Sequence, residues 1–403
     1  MSAAPSAERP GIDAELLSIA RAMADVDHEV KRSVAGWAAA ELVDHDRVEA
    51  DRTSSFAHAD WKRCAQRGIQ GVRVPVELGG RGEDLATTLL TLEGLGYGCR
   101  DNGLAFAIGS QILSTQETLV RFGTPEQQSH WLPRLVGGDA LGAFAMTEPD
   151  SGSDAYAMST TAERRDDGSY VLNGRKAWIT LGSRCDMVIV FASTNPQAGR
   201  WGLSAFVVPT DVDGVDRLPN REKMGMRTTP FGDIAFTDVV VPASALIGRE
   251  GAGASIFNSV LEVERSFVFA TQVGAIERQL HDSIAYARSR EQGGHPIGHY
   301  QAVSHRIADM KQRHEAARLF LYRAAMAFVT GRDVAMAAAL SKLTASETGV
   351  AAALDGAMVH GAKGYVSEFE VERDLRDAIG GLVYSGTSDI QRNIVARLLG
   401  VGA

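Results

Sequence analysis

The chain has 403 residues, 45% of them hydrophobic and 23% charged, with a formal net charge of -9. That length buries a large core over two or three domains, and the composition is that of an ordinary globular chain. The negative charge argues against a basic field for nucleic acid or anionic lipid, no apolar run reaches the roughly 18 residues that span a bilayer, and Cys64, Cys99 and Cys185 share no spacing that suggests a disulfide framework or a metal site.

Residues 1–10 form a short polar tail without the apolar core of a secretory signal. The ending LGVGA carries no peroxisomal or lipidation tag, so a cytoplasmic protein is expected, with no nucleic acid, membrane or metal partner. From Ile12 to about residue 142 the apolar period is helical, as in Leu16, Ile19, Ala20 and Met23 and again in Leu85, Leu89, Leu92 and Leu95. Breaks fall at Pro75, at Gly79, Gly80 and Gly82, and at Gly123, after which Thr124 reads as an N-cap with Pro125 at the first helical position and Gln127 completing a capping box.

Between residues 143 and 249 the period changes to two. Strands are expected at 170–172, 177–180, 187–191, 203–208 and 233–241, with Asn173-Gly174 as a hairpin turn between the first pair. Short antiparallel strands with such turns suggest a barrel or sandwich. From residue 252 onward the helical period returns, through segments near 252–291, 296–330, 334–358 and 367–399, as in an up-and-down bundle. The fold class is α+β and multidomain, with an all-α domain at 1–142, a β domain at 143–249 and a helical bundle at 250–403.

The stretch AMTEPDSGSD at 145–154 packs tight-turn residues and hydroxyls between an apolar run and the strands. Pro149 fixes φ and Gly152 permits a backbone that a side chain forbids, so amides can face a ligand, although the same residues also serve a plain surface turn. Its order of small, apolar, Thr, Glu, two variable residues, small, Gly, Ser and Asp, followed by Trp178-Ile179-Thr180, resembles the acyl-CoA dehydrogenase family over nearly the whole chain. The resemblance implies that fold, an FAD cofactor, and removal of hydrogens from the α and β carbons of an acyl thioester.

That reaction needs a base at the α carbon and donors for the thioester oxygen. In many members the base is a Glu in Tyr-Glu-Gly-Thr, but here the run is Tyr384-Ser385-Gly386-Thr387, and serine is no base without an activating partner. The helix NSVLEVERSFVFA at 258–270 resembles the family helix facing the flavin, with Arg265 setting its register. Glu264 stands just before that Arg, where the isovaleryl-type and long-chain branches carry their base. Glu262 lies about 200° away around the helix and is expected at the surface or beside the substrate tail. Val263, Phe267 and Val268 suggest apolar surroundings in which a buried carboxylate has a raised pKa.

By the same resemblance Met146, Thr147, Ser153, Trp178 and Thr180 meet the flavin, and Arg290 and Gln292 meet the FAD diphosphate of a neighbouring subunit, with Gly293 where the family usually has Phe. The run at 358–365 is similar to the second family signature at Gly361 and Gly364 and departs from it at Met358 and Ala362. Thr387 and Asp389 complete the cofactor contacts, and the Ser385 amide is the implied oxyanion donor. The substrate side takes in Ser153, Glu262, Arg265, Tyr384 and Gly386. Partners implied are an acyl-CoA or acyl carrier protein thioester, an unidentified electron acceptor, and further copies in a homotetramer or homodimer. Resemblance to the branch that oxidises carrier-bound acyl or prolyl groups leaves CoA and carrier protein both open. A same-fold flavin oxidase or monooxygenase, or a non-catalytic flavin or acyl-carrier binding protein, are the alternatives.

Overall fold

The computed structural model describes residues 11–25, 28–43 and 46–402; the tail at 1–10, read above as carrying no signal, lies outside them. The N-terminal region is helical: α1 (Ile12–Ala24), α2 (Glu29–Glu41), α3 (Arg47–Thr53), α4 (His58–Gln66), α5 (Leu85–Gly98), α6 (Asn102–Ser110), α7 (Glu117–Phe122) and α8 (Pro125–Val136). A π-helical stretch, Gln111–Gln116, carries α6 into α7. Thr124 caps α8 as expected, its Oγ1 accepting from the Gln127 amide at 3.3 Å while Gln127 Oε1 accepts from the Thr124 amide at 3.0 Å.

Helix α5 is apolar nearly all round because it is buried nearly all round. Three of its glycines let two neighbours come close. A Cβ on Gly94 would stand 2.6 Å from the Lys31 carbonyl of α2, and one on Gly98 2.2 Å from that of Ala35. On the other side a Cβ on Gly96 would meet the Thr271 carbonyl at 1.8 Å, on a C-terminal helix. Glu93, between them, accepts from Arg318 Nε at 3.0 Å and from the Tyr322 hydroxyl at 2.6 Å, so its buried charge is compensated from the bundle.

The middle of the chain is one eight-stranded sheet: β1 (Gly142–Ala145), β2 (Thr161–Arg164), β3 (Tyr170–Thr180), β4 (Met187–Ser193), β5 (Leu203–Pro209), β6 (Val215–Arg217), β7 (Phe231–Val241) and β8 (Leu246–Ile247). Its path is β6-β7-β3-β2-β4-β5-β8, with β1 beside β4 in parallel. The expected hairpin at Asn173-Gly174 is absent. Tyr170–Thr180 is one continuous strand, and the register with β7 shifts between Leu172 and Gly174. Gly174 is there because the backbone of Thr160 approaches it: a Cβ would lie 2.7 Å from the Thr160 Cα. The turn between β2 and β3 sits instead at Asp167-Gly168, where Gly168 has φ 84° and Asp167 accepts from the Ser169 amide.

The bundle comprises α9 (Gly253–Phe267), α10 (Ala270–Ser289), α11 (Gln301–Thr330), α12 (Val334–His360), α13 (Val371–Gly380) and α14 (Ser388–Leu398). Two expected single segments are divided. The first breaks at Val268-Phe269, and the last opens into a loop at 381–387 between α13 and α14. Periodicity runs across the first break, since Val263, Phe267, Val268, Phe269 and Val273 stay in the core on either side of it.

The close packing of α5 against α10 yields a direct test. Gly96→Ala should force these backbones apart at a cost of about 3 kcal/mol or more, read as a lowered melting temperature of the holoenzyme or loss of soluble protein.

Candidate active site

The C-terminal half of α9 and the loop at 381–387 meet at Glu264. Ile256, Val260, Val263 and Phe267 recur at helical spacing and are buried, which fixes the rotation of α9 and turns Glu264 towards the loop. Glu264 Oε1 accepts from the Ser385 hydroxyl at 2.6 Å, while Oε2 is buried with no partner among the described residues. Burial raises the carboxyl above its ordinary value, against the opposing pull of the Ser385 hydroxyl and of the Arg265 and Lys342 charges.

The loop is held in an unusual backbone shape. Ser385 has φ 59°, a left-handed conformation that is rare for a residue with a side chain. Arg265 Nε reaches the Ser385 carbonyl at 3.4 Å, and Gln391 Nε2 donates to the carbonyls of Ser385 and Gly386 at 3.2 and 3.0 Å. These bonds occupy the carbonyl side of the loop. The Ser385 amide is left without a partner among the described residues. Tyr384 packs between Phe269, at 5.1 Å between ring centroids, and Phe106, at 4.5 Å.

A second group of predicted residues lines β3 and the loop before it. Thr147 accepts on its carbonyl from the Ala177 amide at 2.9 Å, which ties the loop to the strand. The hydroxyls of Thr147 and Thr180 have no partner among the described residues. Trp178 is 45% exposed at φ 56°, inside the second register shift of β3. Asp233 of β7 holds that irregularity in place, accepting from the Trp178 amide at 3.2 Å and from Arg175 and Arg221 at 2.7 Å. Met146 is buried, whereas Ser153 is exposed. Gly152 does not use the left-handed backbone expected of it, and the loop's shape comes from paired hydrogen bonds between Glu148 and Ser151.

What organises this loop is a buried ion pair that the sequence reading did not single out. Lys176 of β3 is fully buried and donates to Glu148 Oε1 at 2.8 Å and to the Met146 carbonyl at 3.1 Å. The other bonds to Glu148 come from the amides and hydroxyls of Ser159 and Thr160. Burial pushes the Glu148 carboxyl up, but the Lys176 charge and these bonds outweigh it and hold the group down at about 2. A lysine among the apolar residues of a central strand was the available clue. Its partner lay inside the quoted motif.

The remaining predicted residues lie elsewhere. Arg290 and Gln292 are exposed past the far end of α10, a 20-residue helix whose start adjoins Phe269. At 1.5 Å per residue that is about 30 Å from the Glu264 region, so one chain does not bring these groups together. Met358 is 56% exposed near the end of α12, followed by Gly361 at φ 60°. Thr387 caps α14, accepting from the Ile390 amide at 3.2 Å, and Asp389 is exposed beside Arg392. Glu262 is half-buried on another side of α9 from the Ser385 contact. The three cysteines are free and buried, and no group of three metal-ligating side chains occurs among the described residues.

These features suit a flat, polar-edged ring system. An exposed tryptophan face, two free threonine hydroxyls, a buried carboxylate oxygen without a partner and a free amide are the kinds of group an isoalloxazine and its substrate would cover.

Comparison with known proteins agrees. The N-terminal, middle and C-terminal domains of acyl-CoA dehydrogenase match residues 25–139, 143–239 and 251–400, and the chain belongs to the acyl-CoA dehydrogenase family. It is a flavin oxidoreductase of that type, with FAD as its cofactor and acyl thioesters as its class of substrate. Among its relatives, the L-prolyl-[peptidyl-carrier protein] dehydrogenase of Pseudomonas fluorescens is 38% identical over 85% of this chain and 90% of its own. The mitochondrial short-chain specific acyl-CoA dehydrogenase of Bos taurus is 35% identical over 87% of this chain and 84% of its own. The crystal structure of the prolyl acyl carrier protein oxidase AnaB superposes with a TM-score of 0.90 at 39% identity, covering 93% of this chain and 98% of that one.

The Lys176–Glu148 pair sets an expectation for acid. Because folding depresses the Glu148 carboxyl from 4.5 to about 2, its stabilisation is present above about 4.5 and is lost as pH falls towards 2. Glu148→Gln removes that dependence and leaves the Lys176 ammonium buried without an anion, at a cost of about 3 kcal/mol or more. Flavin retention on gel filtration and melting temperature against pH would show both effects.

Proposed function

We propose that Glu264 is the base that removes the α proton of the acyl thioester, with the Ser385 amide donating to the thioester oxygen. The observation that carries this reading is the buried carboxylate: Oε1 is held by the Ser385 hydroxyl at 2.6 Å and Oε2 is free to receive a proton. Its pKa, raised by burial, suits a group that must take a proton near neutral pH and release it later. The partnerless Ser385 amide suits a donor aimed at enolate charge as it develops, and the bonds from Arg265 and Gln391 keep the loop from turning. Bound FAD supplies the acceptor for the β hydrogen as hydride.

The cofactor side is assigned to Met146, Thr147, Ser153, Trp178, Thr180, Met358, Gly361, Thr387 and Asp389, and the substrate side to Ser153, Glu262, Arg265, Tyr384 and Gly386. Arg290 and Gln292, some 30 Å along α10 from the base, are assigned to the FAD diphosphate of another copy. That assignment makes the working enzyme a homodimer or homotetramer. The domains divide at 1–142, 143–249 and 250–403, and a separate electron acceptor in the cytoplasm regenerates the cofactor.

The substrate is read as a thioester on a phosphopantetheine arm, with a carrier protein favoured over CoA because the relatives include a prolyl-carrier dehydrogenase and a prolyl-carrier oxidase. Anaerobic mixing of the holoenzyme with prolyl-carrier, acyl-carrier and acyl-CoA thioesters decides the tether by which of them bleaches the flavin. Bleaching by acyl-CoA alone would overturn the carrier reading. Fast oxygen consumption after reduction would mark an oxidase.

Glu264→Gln should keep flavin bound and abolish bleaching; undiminished bleaching would remove Glu264 from the mechanism. Ser385→Ala should leave the base in place but strip the bond that lowers its pKa, moving the acid limb of kcat/KM up by roughly one unit.

A further inference from the structure

Lys342 is fully buried on α12, in the Ala-rich run AAALSKLTA. Among the described residues no carboxylate lies within ion-pair distance of it. Its hydrogen bond is long, 3.4 Å from Nζ to the Leu382 carbonyl in the loop at 381–387. Nζ also stands 5.9 Å from the Phe269 ring, the ring that stacks on Tyr384. An ammonium in such a place is costly unless a compensating charge is near. Its helix meets that of Glu264 beside both residues, where the Ser341 hydroxyl donates to the Ser266 carbonyl of α9 at 3.4 Å, and the Glu264 carboxylate raises the Lys342 pKa against the effect of burial. In return, Lys342 and Arg265 are the two cations that act on Glu264. Arg265 faces the Ser385 carbonyl, and Glu347 is paired with Arg392, so neither Arg265 nor Glu347 is committed to Lys342.

We propose that Lys342 is a positioning residue: its buried ammonium is the fixed countercharge of the Glu264 carboxylate, keeping the base ionised while a bound substrate shuts water out. The inference rests on the assignment of Glu264 as base. A carboxylate that loses its last water on substrate binding tends to take up a proton, and it would then have nowhere to put the α proton. A cation lodged behind the loop opposes this without touching the substrate. The groups facing Glu264 are Arg265 on α9, Lys342 on α12, and Ser385 and Tyr384 on the loop.

Two neutral variants of the holoenzyme separate charge from hydrogen bonding. Lys342→Met removes both, and Lys342→Gln keeps a donor for the Leu382 carbonyl. Both should move the acid limb of kcat/KM up by about one unit and lower kcat/KM at about pH 6 roughly tenfold, with flavin content unchanged. Lys342→Arg, which keeps the charge, should leave the limb in place. An unmoved limb in Lys342→Gln overturns the proposal, since a merely structural lysine would alter melting temperature and not this profile. Should both neutral variants fail to fold, Glu264→Gln decides by reciprocity. Without the carboxylate, Lys342 gives up its proton at lower pH, so the melting temperature of Glu264→Gln relative to wild type should climb as pH rises towards about 8. A flat difference there overturns the proposal. Failure of the base assignment itself shows separately, as undiminished bleaching in Glu264→Gln.

Discussion

A carboxylate withdrawn from water governs the construction of this site. Glu264 is kept out of solvent by the apolar face of α9 and by a loop that has no regular structure of its own. Charge in such a place must be answered by donors and cations. The Ser385 hydroxyl, Arg265 and Lys342 provide them from three different segments of the bundle. The loop between α13 and α14 therefore serves two ends with one residue: the Ser385 side chain holds the Glu264 carboxylate, and its left-handed backbone leaves the amide without a partner among the described residues.

The β3 side of the structure follows the same logic with different parts. Trp178 and Ser385 both adopt positive φ, a strain of roughly 1–2 kcal/mol each that persists only where surroundings enforce it. For Trp178 the enforcement comes from Asp233, bonded to its amide and to two arginines. For the loop at 145–154 it comes from the buried Lys176–Glu148 pair. In each case an ionic group fixes the backbone beside it. The π-helical stretch after α6 packs against α9 and β1.

Much of the architecture could be read in advance. The change of period from 3.6 to 2 and back located helices, strands and helices in order, and the Thr124–Gln127 box was found where the residues placed it. Errors fell where a local pattern was overridden from outside. Asn173-Gly174 has the composition of a tight turn, but the strand runs through it because β7 and Thr160 lie alongside and demand a bulge. The break at 381–387 was likewise invisible, because the loop there is set by bonds from Arg265 and Gln391 and not by a local pattern. Lys342 stood in an Ala-rich run and Lys176 just before the apolar Ala177-Trp178-Ile179, and that placing was the one trace in sequence of their buried roles.

The order of residues alone determined the three kinds of region, the rotation of α9 that sends Glu262 and Glu264 to different sides, and the kinship that named the cofactor, because periodicity and motif are local properties of a chain. Tertiary structure decided which carboxylate lies out of water, which hydroxyl holds it, and which cations answer it. Those contacts join residues 264, 342 and 385, far apart in the chain, and a pKa depends on what surrounds a group in space.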